Sequence, residues 1–335
     1  MSTMAGLRLE PSDAQAPLLE VKNLSVSYKT GFGQVKAVDN VSFTINSGEI
    51  LGLAGESACG KTTTALSIMR LHDKNTIIEG NILFKGKNIV DLTDEQLREF
   101  RWKNVSMIPQ GSMNSLDPVM TIGDQIIEAI RAHKQTSKSD ANATMERVLT
   151  AVAIHPSRAK NYPHEFSGGM KQRAVIAMAL ALEPQLVIAD EPTTALDVVV
   201  QKQLLDLLKQ LREHLRISFL FVTHDLSVIS EISDRVAIMY AGKIVEIGQN
   251  KAVLSHPSHP YTEALVDSVP RVFGKRELLN SIPGNPPTGI WPTGCRFNPR
   301  CKYAFDLCRE REPELELSNT GTMSACHLIS HPNRA

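Results

Sequence analysis

The alternation of apolar and polar positions along this chain predicts an α/β protein. Residues 18–28 alternate as a half-buried strand does. Short continuous apolar runs at 186–189 and 219–222 are typical of central strands in a parallel sheet that is covered on both faces. The same reasoning predicts further strands at 41–45, 50–54 and 104–109, and a late hairpin formed by 236–240 and 244–247.

Helical periodicity predicts helices at 62–70 and 170–182 and a longer, more polar helical region at 121–153. After Val269 the character changes, because 282–294 contains four prolines and three glycines and is predicted to be irregular. We therefore expect a flexible N-terminal tail, a main domain and a C-terminal extension, at 1–17, 18–269 and 270–335.

Composition excludes several classes of protein. Of the 335 residues, 42 % are hydrophobic and 21 % are charged, which suits a large globular domain with a smaller one. The net charge of zero gives no support for a nucleic-acid partner held by bulk charge. No apolar run reaches 18 residues and the first 17 residues hold no apolar block, so we expect neither a membrane-spanning helix nor a secretion signal.

A phosphate-binding loop is predicted between the strand 50–54 and the helix that follows it. Its residues fit the pattern G-x-x-x-x-G-K-[ST]. The lysine of this pattern reaches the β- and γ-phosphates, and the hydroxyl residue holds Mg²⁺. Backbone N–H groups and the helix N-terminus add a favourable field for an anion. The phosphate loop comprises Gly55, Glu56, Ser57, Ala58, Cys59, Gly60, Lys61 and Thr62.

Two carboxylates follow the predicted central strand 186–189. Asp190 is a candidate partner of Mg²⁺, and Glu191 is a candidate general base for an attacking water. A carboxylate at the C-terminal end of a parallel strand faces the ligand crevice, which supports both roles. Between these elements, Ser167 and two glycines begin a helix, which predicts either a second anion site or a simply capped helix.

Taken in order, these motifs resemble the nucleotide-binding subunit of an ATP-binding-cassette (ABC) transporter over residues 18–270. The resemblance implies an ABC-type P-loop NTPase with a parallel-sheet RecA-like core, an antiparallel β subdomain and a helical signature subdomain. Residues that match the family's nucleotide contacts are Tyr28, which stacks on adenine, the phosphate loop with Thr63, the signature loop Ser167, Gly168, Gly169 and Met170, and the D-loop Ala195, Leu196 and Asp197. Residues that match its catalytic and Mg²⁺-associated positions are Thr62, Gln110, Asp190, Glu191 and His224.

Two positions depart from the family's usual pattern. Ala58 stands where a glycine is usual, so we expect a local backbone angle that suits a residue with a Cβ atom. Phe166 replaces the leucine that usually precedes the signature serine. Neither change removes a catalytic group, so we expect ATP hydrolysis.

The resemblance also implies partners. In the family the signature loop closes over ATP bound to a second subunit, and hydrolysis releases the pair. Both half-sites are intact here, so the chain is expected to form a homodimer or to pair with a similar ATPase. Two transmembrane permease subunits would receive it at the cytoplasmic face of the membrane, with 111–126 carrying the groove for a coupling helix. The permeases would connect it to an extracytoplasmic substrate-binding protein.

Three segments resemble those of dipeptide and oligopeptide importer ATPases. They are 114–121, the His- and Pro-containing 256–262, and the C-terminal extension. Uptake of peptides is the leading expectation, and nickel, oligosaccharide and opine importers are the alternatives within the same subfamily. A soluble ABC ATPase acting on ribosomes or DNA, and a metal-sensing regulatory protein, are rivals of other classes.

Four of the five cysteines, Cys295, Cys301, Cys308 and Cys326, cluster in the extension. Their spacing, C-x5-C-x6-C-x17-C, leaves zinc, an iron–sulfur cluster and unligated thiols open. The resemblance favours a [4Fe–4S] cluster, with Zn²⁺ as the alternative and His327 as a lower-ranked substitute ligand. Because the extension holds none of the matched ATP-site residues, we expect a structural or redox-sensing role and ATP binding that persists without the cysteines.

Overall fold

The computed structural model describes residues 16–31, 33–269, 282–287 and 289–332. Most of the predicted N-terminal tail, and the predicted boundary between main domain and extension, therefore lie outside the described residues. The strands are β1 Leu19–Thr30, β2 Gly33–Ile45, β3 Ile50–Ala54, β4 Thr76–Phe84, β5 Lys87–Asn88, β6 Val105–Ile108, β7 Leu186–Asp190, β8 Ser218–Thr223, β9 Arg235–Tyr240, β10 Lys243–Gln249, β11 Glu316–Leu317 and β12 Met323–Ser324. The helices are α1 Lys61–Met69, α2 Asp94–Phe100, α3 Ile122–His133, α4 Lys138–Ala151, α5 Gly168–Leu180, α6 Val198–Leu215, α7 Leu226–Ile232, α8 Asn250–Ser255, α9 Pro260–Asp267 and α10 Asp306–Glu310.

Two sheets organise the main domain. The four-stranded sheet is antiparallel where β1 pairs with β2 and β4, and its strand order is β2-β1-β4-β5. The larger sheet has the order β11-β12-β10-β9-β3-β8-β7-β6 within the described chain. Its five strands from β9 to β6 run parallel, and β10 returns antiparallel to β9, as the predicted hairpin requires.

The strand β3 lies at the centre of the larger sheet and is buried on both faces. Ile50 and Ala54 pack in one hydrophobic core with α5 and α6, whereas Leu51 and Leu53 pack in a second core with the antiparallel sheet. Alternate residues of a strand point to opposite faces, which explains this division. The phosphate loop therefore starts from a strand fixed from both sides.

Helices α3, α4 and α5 form the predicted helical subdomain. Thr121 and Ser137 cap α3 and α4, because each side chain accepts a hydrogen bond from a backbone N–H three residues later. The helix predicted at 170–182 begins two residues earlier and ends at Leu180, before Glu183 and Pro184. None of the described helices combines the length and apolar character needed to cross a membrane.

The C-terminal extension contains regular structure after residue 294. Strand β12 pairs antiparallel with β10 through Glu246–Ser324 and Ile247–Met323, and β11 pairs with β12. Its described part therefore continues the central sheet of the main domain. The prediction of irregular chain at 282–294 is confirmed for its described residues, because 282–287 and 289–294 contain no helix or strand.

Candidate functional site

The phosphate loop ends where α1 begins, at a helix terminus without a side-chain cap. Gly60 occupies the N-cap position, and no acidic residue lies in the first turn of α1. Gly60 has a φ of 106°, and a Cβ atom here would lie 2.7 Å from the carbonyl oxygen of Ala37, so glycine is required. An uncapped helix N-terminus presents N–H groups and a positive dipole end to an anion.

Lys61 is buried at the base of the loop and bonded to the loop itself. Its Nζ donates hydrogen bonds of 2.9 Å to the carbonyl oxygens of Gly55 and Glu56. The side chain is held where it faces the loop's concave side, and phosphate oxygens are stronger acceptors for an ammonium than these carbonyls. The positions of the loop carbonyls therefore set the position of the lysine charge.

The expectation for Ala58 was wrong. The residue has a φ of 64°, in the left-handed region that glycine favours, so its Cβ atom is accommodated under strain. The strain is local, because it arises from the backbone angle of the residue itself.

Asp190 ends β7 beside Thr62, whose hydroxyl donates to Oδ1 of the carboxylate at 3.3 Å. Asp190 is 1 % exposed, and its Oδ2 atom has no hydrogen-bond partner among the described residues. Burial raises the pKa of Asp190, and the charge of Glu191 adds to this effect against the hydrogen bond from Thr62. A buried carboxylate oxygen without a partner, next to a threonine hydroxyl, suits a hard cation with oxygen ligands, so these residues fit Mg²⁺.

Glu191 is the centre of a hydrogen-bonded group. Its Oε2 accepts from Gln110 Nε2 at 3.0 Å and from Thr194 Oγ1 at 3.1 Å, and its Oε1 lies 2.9 Å from Nδ1 of His224. Glu191 has a φ of 50°, so the chain turns sharply after β7 and directs the carboxylate to the sheet edge. The structure thus brings together three of the predicted residues, Gln110, Glu191 and His224.

The pKa of Glu191 lies below its usual value. Burial raises this pKa, but the hydrogen bond and charge of His224, the hydrogen bond from Thr194 and the charge of Lys61 together outweigh it. The carboxylate is therefore ionised near neutral pH and able to accept a proton. Thr194 was not predicted as a partner of Glu191. Its hydroxyl and its position three residues after Glu191, in the same tight turn, are the sequence signal for this contact.

Tyr28 lies on β1 next to the first turn of α1. Its hydroxyl donates to Thr63 Oγ1 at 3.2 Å, and its ring meets His72 edge-on with centroids 5.9 Å apart. The side chain is half-buried, so part of the ring is available to another group. The predicted adenine contact and the phosphate loop are therefore adjacent.

The signature loop stands apart from the phosphate loop of the same chain. Ser167 caps α5 and, like Gly168, is exposed. Within the described ranges, no hydrogen bond or ion pair joins residues 167–169 to residues 55–62. Asp197 caps α6, and a Cβ atom on Gly169 would lie 2.6 Å from the side chain of Val200, so the signature and D-loop segments pack closely.

All four cysteines of the extension line one cavity, which His259 and His327 also line. They are free thiols, as is Cys59. Burial raises the pKa of Cys301, raises that of Cys295 to about 11, and raises that of Cys326 to about 12. Among the described residues, no three His, Cys, Asp or Glu side chains are placed to hold a single metal ion. The four cysteines predicted as a site, Cys295, Cys301, Cys308 and Cys326, therefore share a cavity, but the described residues are not arranged to hold a single metal ion.

Contacts from two distant segments also reach the phosphate loop. The guanidinium of Arg300, in the extension, forms an ion pair with Glu56 at 2.6 Å, and the hydroxyl of Tyr261, in α9 of the main domain, accepts a hydrogen bond from the Glu56 backbone at 2.9 Å. Sequence reasoning missed both residues, because 244 and 205 positions separate them from Glu56. The extension therefore contacts the phosphate loop, although it holds none of the matched ATP-site residues.

Comparisons with known proteins agree with this geometry. Residues 38–194 match the family described as "ABC transporter", and residues 245–308 match "Oligopeptide/dipeptide transporter, C-terminal region". Over 315 residues, the chain is 45 % identical to the "Oligopeptide transport ATP-binding protein OppD" of Haemophilus influenzae, which covers 93 % of this chain and 97 % of the relative. The chain belongs to the family of oligopeptide-transport ATP-binding proteins.

Further relatives support this membership. The protein of the same description from Escherichia coli K12 is 44 % identical over 312 residues, or 92 % of each chain. A solved structure described as a post-hydrolysis dimer of the ATP-binding cassette MJ0796, bound to ADP and Pi, superposes with a TM-score of 0.62 and 27 % identity. It covers 69 % of this chain and 98 % of its own. An oligopeptide-transport ATP-binding protein is an ABC-type ATPase, so the predicted fold class and enzyme class are confirmed.

Proposed function

We propose that this chain hydrolyses ATP at the phosphate loop and Glu191 to energise a peptide importer. One observation carries the catalytic part. An ionised carboxylate, held by side chains from two other segments and by Thr194 of its own turn, lies directly after Asp190. Among the described residues, one buried oxygen of Asp190 has no hydrogen-bond partner, and the Asp190 carboxylate lies beside Thr62. A base and a cation position at the same sheet edge as a phosphate loop are the requirements of metal-assisted phosphoryl transfer to water.

Each residue has a distinct part in this chemistry. The first-turn N–H groups of α1 and the ammonium of Lys61 bind the phosphates, and Thr62 with Asp190 would hold Mg²⁺. When bound, Mg²⁺ neutralises charge on the phosphate oxygens. Glu191 takes a proton from the attacking water, while Gln110 and His224 fix its orientation.

A second ATPase subunit completes the site in this proposal. Ser167 and Gly168 are exposed and, within the part of the chain that the structure describes, form no hydrogen bond or ion pair with their own phosphate loop, so they can meet nucleotide held by a partner. Two signature loops and two phosphate loops then enclose two ATP molecules, so ATP joins the subunits and hydrolysis separates them. The dimeric state named for MJ0796 supports this arrangement.

The proposed transport role follows from the relatives. Proteins described as oligopeptide-transport ATP-binding proteins cover nearly the whole chain, and the extension matches the corresponding family. We infer that the chain binds two permease subunits from the cytoplasmic face of the membrane and responds through them to a substrate-binding protein. Di- and oligopeptides are the proposed cargo.

Reconstitution tests this role directly. Detergent extracts of native membranes should yield two permease subunits with the tagged chain. In liposomes, ATP hydrolysis by the complex should rise when the substrate-binding protein carries a peptide, and should not rise with nickel or an oligosaccharide. If the isolated chain hydrolyses ATP as fast as any complex, coupling to a membrane partner is wrong.

The four-cysteine site is proposed to hold a [4Fe–4S] cluster. Tetrahedral zinc, with Zn–S bonds of about 2.3 Å, would require thiol sulfurs roughly 3.8 Å apart. A cluster spaces its thiolates more widely, because each binds a different iron. The cavity that all four cysteines line supports a common site, and the resemblance to peptide-importer ATPases favours the cluster over zinc. When bound, the cluster would cross-link an extension that has little apolar core of its own.

A further inference from the structure

Two residues outside the predicted ATP-binding motifs hold the second residue of the phosphate loop. Arg300 donates two hydrogen bonds to the carboxylate of Glu56, from Nη1 to Oε2 at 2.6 Å and from Nη2 to Oε1 at 3.0 Å. The hydroxyl of Tyr261 accepts a hydrogen bond from the Glu56 backbone N–H at 2.9 Å. Both the side chain and the main chain of Glu56 are therefore fixed from outside the loop.

The arginine itself is immobilised by its surroundings. Its side chain is 4 % exposed, Nε donates to the carbonyl oxygen of Pro283 at 2.8 Å, and Nη1 also lies 3.3 Å from the hydroxyl of Tyr240. A bidentate arginine–carboxylate pair fixes direction as well as distance. Removing one partner of such a pair leaves a buried charge without compensation.

An aromatic cluster fixes the tyrosine in the same way. Tyr261 is fully buried, with its ring centroid 4.6 Å from that of Tyr240 and 5.3 Å from that of Phe297. Packed rings of this kind leave the hydroxyl no alternative position. The hydrogen bond to Glu56 thus joins two rigid parts of the molecule.

The position of Glu56 determines the positions of the groups that bind phosphate. The carbonyl oxygens of Gly55 and Glu56 are the acceptors that hold Lys61 Nζ, each at 2.9 Å. A shift of Glu56 therefore moves both the lysine charge and the loop N–H groups that follow. Displacements of about 1 Å in a binding site reduce function strongly.

We propose that Arg300 and Tyr261 are positioning residues that hold the phosphate loop in its ATP-binding conformation, and that Arg300 makes this conformation depend on the C-terminal extension. The inference rests on the proposed role of the loop in binding ATP. Neither residue belongs to the loop or to the group around Glu191, so both act through Glu56. Loss of either contact weakens ATP binding and leaves the hydrolytic group around Glu191 intact.

The four-cysteine site lies next to both positioning residues. Arg300 immediately precedes Cys301, and the backbone N–H of Tyr261 donates to Nδ1 of His259 at 3.0 Å. His259 lines the cysteine cavity. The cysteine cavity is therefore linked to Arg300 by one peptide bond and to Tyr261 by one hydrogen bond, and both of these residues contact the phosphate loop.

The test compares ATP affinity and turnover in the full chain. Arg300→Gln should raise the Kd and KM for MgATP about tenfold, as expected when a buried charge-assisted hydrogen bond is lost, while kcat at saturating ATP changes less than about twofold. Tyr261→Phe removes only the hydroxyl and should raise Kd about threefold. Arg300→Lys keeps the positive charge but cannot form the bidentate pair with the Glu56 carboxylate, so it should give an intermediate Kd.

Two controls separate positioning from general destabilisation. Arg309 also lies in the extension and pairs with Asp306 at 3.3 Å, but its side chain is 63 % exposed, so Arg309→Gln should leave Kd unchanged. In a double-mutant cycle, Arg300→Gln should raise Kd less than about twofold in the Glu56→Gln background, because the two side chains act as one unit.

Each outcome decides one question. ATP affinities within twofold of wild type for Arg300→Gln and Tyr261→Phe, with affinity lost in Lys61→Ala, would overturn this inference and leave the proposed function standing. Normal ATP affinity in Lys61→Ala would instead overturn the proposed function of the loop. If Arg300→Gln does not fold, Tyr261→Phe decides alone, because it deletes a single oxygen from a packed ring.

Discussion

Gln110 donates a hydrogen bond from Nε2 to Oε2 of Glu191 at 3.0 Å, although 81 positions separate the two residues. Gln110 lies after β6 and Glu191 immediately follows β7, and these strands are parallel neighbours. Their C-terminal ends meet at one sheet edge, which explains the contact. The base is thereby joined to the segment 111–126, which we expect to receive a permease, so a movement there would reach the base directly.

Glu191→Gln should abolish most hydrolysis and keep ATP binding, because an amide cannot accept the proton of water. Turnover should fall at least about 100-fold. Phosphate release measures turnover, and size-exclusion chromatography with ATP should detect accumulated dimers. Glu183→Gln is a matched control, because Glu183 is an exposed partner of Arg147. Near-normal turnover in Glu191→Gln would remove this residue from the role of base.

His224→Ala should shift the acid limb of residual hydrolysis to higher pH. The pKa of Glu191 is raised by burial and brought below its usual value chiefly by His224. Without the histidine the pKa rises, so protonation of the base begins at higher pH as acid is added. Single-turnover hydrolysis rates between pH 4.5 and pH 8 would measure the pH at which the rate falls on the acid side. A shift on the order of one pH unit would be resolved. An unmoved limb would mean that Thr194 and Lys61 suffice.

Tyr28→Ala should weaken ATP affinity by about 1–3 kcal/mol, as the loss of one stacking contact does. GTP should be affected comparably, because stacking does not read base edges. Tyr28→Phe is the matched control, since it keeps the ring and loses only the hydroxyl, with its hydrogen bonds to Thr63 and His72. Unchanged nucleotide affinity in Tyr28→Ala would show that the tyrosine serves the core alone.

Ala58→Gly should raise the free energy of unfolding by about 0.5–1 kcal/mol. Relief of the left-handed backbone strain exceeds the entropy cost of glycine in the unfolded chain. The φ of 64° at this position is the reason. Ala143→Gly, in the exposed face of α4, should instead destabilise by about 1 kcal/mol. Denaturant unfolding of both variants measures the difference. Equal losses in the two would show that the loop angle is not strained.

Cys301→Ser should remove the cluster and disorder the extension. Protein purified without oxygen should be brown and contain iron with acid-labile sulfide, about four irons per chain, and the variant should be colourless. Because Cys301 follows Arg300, ATP binding should weaken too. Lys302→Gln, at an exposed neighbour, should retain colour. Stoichiometric zinc in colourless wild-type protein would replace the cluster by zinc, and protein without metal would exclude both.

Local patterns predicted the central strands but not every element. Continuous apolar runs mark β7 and β8, because both faces of these strands are covered. The pattern does not predict β4, which Gly80 interrupts, or α6, which begins with three β-branched valines that favour a strand. In α6 the cap provided by Asp197 and the packing of its leucines prevail over that propensity.

The candidate site divides in the same way. The phosphate loop, the carboxylates after β7 and the capped start of α5 are contiguous motifs, so spacing alone locates them. The hydrogen bonds of Arg300 and Tyr261 to Glu56 join residues more than 200 positions apart. No local periodicity predicts such contacts, because they form only when α9 and the extension fold back onto the phosphate loop.

The hairpin of β11 and β12 also changes what the rim of the central sheet exposes to other molecules. Without it, β10 would present unpaired N–H and C=O groups along Glu246 and Ile247, a ready template for a strand of another chain. With it, the outermost strand is only the two residues Glu316 and Leu317, too short to recruit a neighbour firmly. Copies of this chain can therefore come side by side without joining through the edges of their sheets.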